Sequence, residues 1–186
     1  MVKKWKKIEE KVLDKNPYWQ YKKDIFEIEG NGEDEYFYGE INDGALVVPV
    51  LDDGRLVLVR QHRYLRDRNS LEFPKGRLLD NETPQMGAAR ELQEETGLIS
   101  SNFLKVGAFD SLNSNFKETM HIFVADELNQ ISGGQNLELM EQGMEIVIRR
   151  VDEFEEMIRR GEIWDGHTLA AWALAREHVL SKNYVE

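Results

Sequence analysis

The chain has 186 residues, which is enough for one domain with an ordinary core, or one domain with a small extra sheet. Its 41% hydrophobic and 32% charged residues describe a globular protein, and its net charge of −11 argues against nucleic-acid or anionic-membrane partners, which want basic surface. With no cysteine, disulfides, thiol nucleophiles and cysteine zinc sites are excluded.

The opening MVKKWKKIEEKVL is basic, without a long apolar run or a cleavage site, so no signal peptide is expected. No stretch approaches the ~20 apolar residues of a membrane span, and a cytoplasmic protein is the expectation. Residues 1–45 are rich in aromatic and charged side chains. There KKDIFEIEG alternates, GNGED turns and EDEYFYGEI follows, which predicts a hairpin. ALVVPVL and RLVLVRQHRY, separated by Asp52-Asp53-Gly54, predict a second hairpin. SLEFPKG reads as a short strand broken at Pro74. Thr83 followed by Pro84 predicts a helix from 84 to about 96, with Gly97 as its C-terminal cap. NFLKVGAFDS, TMHIFVADEL and MEIVIRRV read as strands, and LNQISGGQNLELMEQG as a polar loop. VDEFEEMIRRGEI predicts a short helix ended by Gly161, and TLAAWALAREHVL a final amphipathic helix. Strands first, then mixed strands and helices, give the class α+β or an α/β sandwich.

The stretch GRLLDNETPQMGAARELQEETGLI concentrates acids: Asp80, Glu82, Glu91, Glu94 and Glu95. On a wheel of about 100° per residue, Ala89, Leu92 and Thr96 share one side with Met86 beside them, while Glu91, Glu94 and Glu95 converge on the other. Arg90 lies at the edge of that patch, one turn before Glu94. A solvated acidic face is the plain alternative. Three features argue for a bound cation. Acids late in a helix face the negative end of its dipole. Gly87, mid-helix, is expected to open room above the carboxylates at about 1 kcal/mol relative to Ala. A glycine-containing loop precedes the helix. All-oxygen donors without His or Cys suit Mg²⁺ or Mn²⁺, ions that also hold substrate phosphates.

The whole spacing is Gly76, five residues, Glu82, seven residues, then Arg90-Glu91-Leu92-x-Glu94-Glu95-x-Gly97-Leu98. It resembles the signature of the Nudix hydrolases at every defined position. RLVLVRQHRY, LEFPKGR and the late IRRGEIWDGHTLAAWALA are similar to the ADP-ribose and nucleotide-sugar pyrophosphatase branch. The resemblance implies an α/β/α sandwich with a mixed sheet over residues 46–186. It also implies a small N-terminal antiparallel sheet over 1–45, used for homodimerisation and nucleotide contacts. It implies that Glu91, Glu94, Glu95 and the Lys75 carbonyl hold Mg²⁺ and that Arg90 orients the carboxylates. Glu82 would brace the loop, and Gly76 would give the turn that lets the backbone approach the metal.

A diphosphate needs cationic help, and Arg63 resembles the arginine of the branch that grips it; Arg60 and Lys75 are further candidates, and a pair of surface strand charges is the plain reading of Arg60 and Arg63. The general base in this branch is often a glutamate before the strand MEIVIRRV. Gln142 falls near where an acid is expected, so Glu141 is chosen, with Glu138 and Glu145 behind it. Tyr36, Phe37, Tyr38 and Trp19 are candidates for stacking on a base, against core or interface packing. His62, His121, His167 and His178 are read as structural, and Trp172 and Leu174 as core. The leading expectation is hydrolysis of ADP-ribose or a related nucleotide sugar to a nucleoside monophosphate and a sugar phosphate. The alternatives are a dinucleoside polyphosphate hydrolase, which FPKG before the box also resembles, and a non-catalytic nucleotide-sugar sensor.

Overall fold

The computed structural model describes residues 2–182; Met1 and residues 183–186, at the ends of the two expected segments, lie outside it. In chain order come strands β1 (Trp5–Lys15), β2 (Gln20–Ile28), β3 (Gly32–Glu40), β4 (Gly44–Pro49), β5 (Leu56–Arg63), β6 (Arg68–Glu72) and β7 (Lys75–Arg77). Helix α1 (Pro84–Thr96) follows, then β8 (Leu98–Asp110), β9 (Phe116–Lys117), β10 (Thr119–Gln130), β11 (Glu145–Arg149), and helices α2 (Val151–Arg159) and α3 (Gly166–Ser181). None of these helices is long and apolar enough to cross a membrane. The described chain divides into two compact units, Met1–Asp43 with Asp110–Thr119, and Gly44–Phe109 with Met120–Glu186.

The first unit is a sheet in the order β1-β2-β3-β9. Its first three strands are antiparallel, as expected, but β9 joins in parallel from far along the chain. Gly39 permits this: any side chain there would overlap the Phe116 ring. The basic opening forms β1, whose Trp5 stacks on Phe26 at 4.4 Å. Charged residues outnumber Trp5, Ile8, Val12 and Leu13 along it, and the strand pairs through its backbone while every residue stays exposed.

The second unit holds the order β7-β4-β10-β8, with β4 and β10 parallel, and a separate antiparallel sheet β11-β5-β6. The continuous apolar run of β4 means burial on both faces. Leu46 and Val48 enter one core with Phe73, Phe154, Trp172 and Ala175. Ala45 and Val47 enter another with Ala88 and Leu92 of α1. The central sheet is thus sandwiched between α1 and the later helices. The second expected hairpin does not form as such. β4 and β5 meet only at the Val50–Leu56 bridge and then diverge into different sheets, because β4 finds β10 and β7 instead. Trp172 is core, but Leu174 is 40% exposed, one helical step off the buried face of Ala171, Trp172 and Ala175.

Candidate active site

Helix α1 starts and ends where its caps dictate. Thr83 accepts a hydrogen bond from the Met86 N–H at 3.3 Å, and Gly97 takes φ +68°, which a side chain would strain. The buried face differs from the wheel drawn on hydrophobicity. Leu92 and Thr96 are inside as expected, but Met86 is exposed, and Glu91 and Glu95 are buried. Gly87 also serves another purpose than expected. A methyl group there would overlap Leu78 and come within 3.2 Å of Glu82, so the space belongs to the preceding loop and not to the carboxylates.

Gly76 is where loop and helix touch. A side chain on it would overlap the carboxylate of Glu91. Its bare backbone therefore lets strand β7 lie directly against the acids of α1. The Lys75 N–H hydrogen-bonds the Glu95 carboxylate, whose Oε2 is buried with no hydrogen-bond partner. Arg90 gathers the loop and the acids. Its Nε and Nη2 donate to Glu82 at 3.0 and 3.1 Å, its Nη1 to Glu91 at 2.6 Å and Glu94 at 2.9 Å, and Nη2 also to the Arg77 carbonyl at 2.8 Å.

Burial pushes the Glu91 carboxyl up to about 7; Arg90 opposes this, and the charges of Glu94 and Glu141 add to it. Burial likewise raises Glu95 well above the usual carboxylate range against the pull of Lys75, with Glu91 and Glu141 again adding. Buried carboxylates that repel one another and lack a full set of donors fit a hard divalent cation. Three observations support that fit: the unsatisfied Glu95 oxygen, the side-chain-free cradle at Gly76 and an all-oxygen donor set. Among the described residues no ready-made cage of three such groups exists. Arg90 instead draws Glu91 and Glu94 to itself.

A second charged cluster lies on the other side of Lys75. Glu72 is fully buried, and Arg63 grips it through Nε at 2.7 Å and through Nη2. The Lys75 ammonium pairs with Glu72 and, at 3.3 Å, with Asp165. Burial opposes ionisation of Glu72, but the hydrogen bonds from Arg63 and the Lys75 charge keep its carboxyl below the usual range. Sequence reasoning passed over Glu72 and Asp165. The signal for Glu72 was an acid inside the otherwise apolar LEF of SLEFPKG. Asp165 was missed because the final helix was begun at Thr168, whereas it starts at Gly166 with Asp165 as its N-cap.

The remaining candidates are spread more widely. Arg60 stands opposite Glu145 on the β5–β11 ladder and pairs with it at 3.1 Å, with both side chains largely exposed. Glu138 and Glu141 cap a single 3-10 turn, Leu139–Glu141, in the expected loop; the Glu138 N–H donates to Glu141 at 2.9 Å. The charge of Glu141 is felt at both Glu91 and Glu95. Tyr36 and Tyr38 belong to the other compact unit. The Tyr36 hydroxyl donates to the Ser114 carbonyl at 2.6 Å, and that of Tyr38 lies 3.3 Å from Glu10 and 3.2 Å from Asp24. Trp19 packs edge-on against Tyr21 and Phe116, and Phe37 stacks on Tyr21.

Residues 41–171 match the family described as NUDIX domain. The chain belongs to that family. This NUDIX chain is 30% identical over 125 residues to the ADP-ribose pyrophosphatase of Bacillus subtilis (strain 168), covering 67% of each chain. It is 31% identical over 130 residues to the ADP-ribose pyrophosphatase of Mycobacterium tuberculosis (strain ATCC 25618 / H37Rv), covering 68% of this chain and 62% of the other. It also resembles the solved structure described as "Crystal structure of ADP compounds hydrolase", with a TM-score of 0.80 and 21% identity, covering 100% of this chain and 99% of that one. At that identity the likeness speaks for the fold, which is the mixed α+β fold of a NUDIX hydrolase. The protein is a NUDIX pyrophosphatase, a hydrolase of phosphoric anhydrides.

Proposed function

We propose that this chain hydrolyses the diphosphate of ADP-ribose or a related nucleotide sugar, releasing a nucleoside monophosphate and a sugar phosphate, with Mg²⁺ or Mn²⁺ as cofactor. The observation that carries the reading is the pair of buried carboxylates, Glu91 and Glu95, pressed against the Lys75–Gly76 backbone with one Glu95 oxygen unsatisfied. The names of the ADP-ribose pyrophosphatases it resembles supply the substrate class.

Glu91, Glu94, Glu95 and the Lys75 carbonyl would hold the metal. Bound there, a divalent ion neutralises diphosphate charge and acidifies a water. The chain's own residues do the rest. Arg90 fixes the Glu91 and Glu94 carboxylates through hydrogen bonds that also anchor Glu82 and the Arg77 carbonyl. Arg63 is held by Glu72 through Nε and Nη2, which leaves Nη1 to donate to a phosphate oxygen. Lys75 adds positive charge beside it, and Arg60, tied to Glu145, supports from the strand surface. Glu141 takes the proton of the attacking water; Glu138 orders its turn, and Glu145 is the reserve candidate. Exposed Phe37 and Trp19, with half-buried Tyr36, would offer aromatic surface for a base, whereas Tyr38 is buried and packs within its own sheet. The first unit's exposed Trp5, Ile8, Val12 and Trp19 offer apolar area for a homodimer.

The test is a hydrolysis panel with Mg²⁺ and with Mn²⁺ over ADP-ribose, ADP-glucose, GDP-mannose, UDP-glucose and diadenosine polyphosphates, with product identification. Cleavage of a nucleotide sugar to a nucleoside monophosphate supports the reading and names the base. Preference for the diadenosine compounds moves the substrate to dinucleoside polyphosphates. No turnover of any compound points to a sensor.

A further inference from the structure

The segment Phe73-Pro74-Lys75 carries the backbone that meets Glu95, and it is gripped from a distant part of the chain. Pro74 has no N–H of its own to anchor it. On one side of it, the Phe73 N–H donates to Thr168 Oγ1 at 3.1 Å. On the other, the Lys75 ammonium pairs with Asp165 at 3.3 Å. The two grips are one unit, because the Thr168 hydroxyl donates to Asp165 Oδ2 at 2.7 Å and the Thr168 N–H donates to the same oxygen at 2.9 Å. Thr168 is fully buried. A helix needs only one side-chain acceptor at its N-cap. Here the cap also clamps both residues flanking Pro74, and Lys75 in turn presents its N–H to the Glu95 carboxylate.

We propose that Asp165 and Thr168, at the N-terminus of α3, are positioning residues for the active site: they fix Phe73 and Lys75 on either side of Pro74 and thereby set Glu95 for divalent-cation binding. The inference rests on the metal reading above and adds to it residues outside the box, more than sixty positions along the chain. Residues that orient ligands in this way change metal affinity or activity by about 10–100-fold when altered.

Asp165→Asn keeps an acceptor for the cap and removes the charge that faces Lys75. Mn²⁺ binding to the substrate-free protein, followed by electron paramagnetic resonance, is the primary readout; kcat, KM and melting temperature accompany it. The expected result is Mn²⁺ affinity and kcat each down about tenfold, KM within about twofold, and melting close to the wild type. Thr168→Val is expected to show the same loss, and Thr168→Ser, which restores the hydroxyl, to recover it. These two decide the matter if Asp165→Asn does not fold. Wild-type Mn²⁺ affinity and kcat in Asp165→Asn overturn the proposal. So does equal impairment of Thr168→Ser and Thr168→Val, or a loss that merely tracks the unfolded fraction, either of which assigns these residues to packing. A wild type that binds Mn²⁺ but cleaves no diphosphate removes the proposed function while the Mn²⁺ titrations still decide the clamp. A wild type that binds no Mn²⁺ overturns both.

Discussion

The N-terminal sheet and the end of α1 both crowd acids together, and the two treat them in opposite ways. In the sheet Glu9, Glu10, Asp24, Glu35 and Glu40 each meet a lysine. Lys7 faces Glu10 at 2.7 Å and Asp24 at 2.8 Å, and Lys22 faces Glu10 at 2.9 Å and also Glu40. Hydrogen bonds from Lys7 and Lys22 hold the Glu10 carboxyl down to about 2. Along α1 the acids outnumber their cations. Arg90 serves Glu82, Glu91 and Glu94, and Glu95 has no side-chain cation within ion-pairing distance among the described residues. Burial then raises Glu91 and Glu95. A charge cluster that satisfies itself is architecture. One that is buried and left unsatisfied fits the proposed role of holding a cation.

Substitutions can break this contrast. The largest effect is expected from Glu95→Gln, which should lower kcat roughly 10³-fold by removing one ligand charge. Its metal-free melting temperature should match or exceed that of the wild type, because the folded protein already prefers this group uncharged. Full activity in Glu95→Gln would mean the metal site lies elsewhere. Next comes Gly76→Ala. Its methyl group must displace the Glu91 carboxylate, so turnover should fall about 100-fold and stability by about 1–3 kcal/mol. Kinetics and chemical denaturation together read both losses, and an unaffected enzyme would show that β7 need not lie against α1.

A pH scan of melting temperature sharpens the comparison without mutation. Glu91 titrates near 7 in the folded protein against an ordinary value of 4.5, so between those values the folded state holds a proton that the unfolded chain has lost. Stability from this group is fully present below about 4.5 and is lost as pH rises through about 7. Glu95, also raised by burial, contributes in the same direction. The metal-free protein should therefore melt lower at pH 8 than at pH 5.5, and added Mg²⁺ should raise the melting temperature more at pH 8, where the carboxylates are ionised. A Mg²⁺ effect that shrinks with rising pH would contradict the assignment. The smallest effect belongs to the sheet. Glu10→Gln removes one member of an exposed, self-satisfied network and should move melting by no more than about 2 °C, with turnover unchanged.

Much of this protein was legible as sequence because its signals are local. Thr83, Pro84 and Gly97 fix the limits of α1 through backbone chemistry that needs no distant partner, and the box from Gly76 to Leu98 carries its spacing wherever it stands. The strands β2, β3, β5 and β10 announced themselves by alternation or by continuous apolar runs. Which strand pairs with which was not legible. β4 leaves β5 for β10, some seventy residues on, and β9 joins the N-terminal sheet, because pairing depends on which apolar faces close over one another.

The acids of α1 show the same division. Residue types and spacing determined that Glu91, Glu94 and Glu95 converge beside Arg90 and that only oxygen donors would meet a cation there. Tertiary structure decided that Glu91 and Glu95 are buried, that Gly87 makes room for Leu78, that Glu72 and Asp165 pair with the Lys75 ammonium, and that Thr168 holds the Phe73 N–H. The reason is physical: spacing along a helix sets direction, whereas burial and counter-charge come from what other parts of the chain bring to the same place.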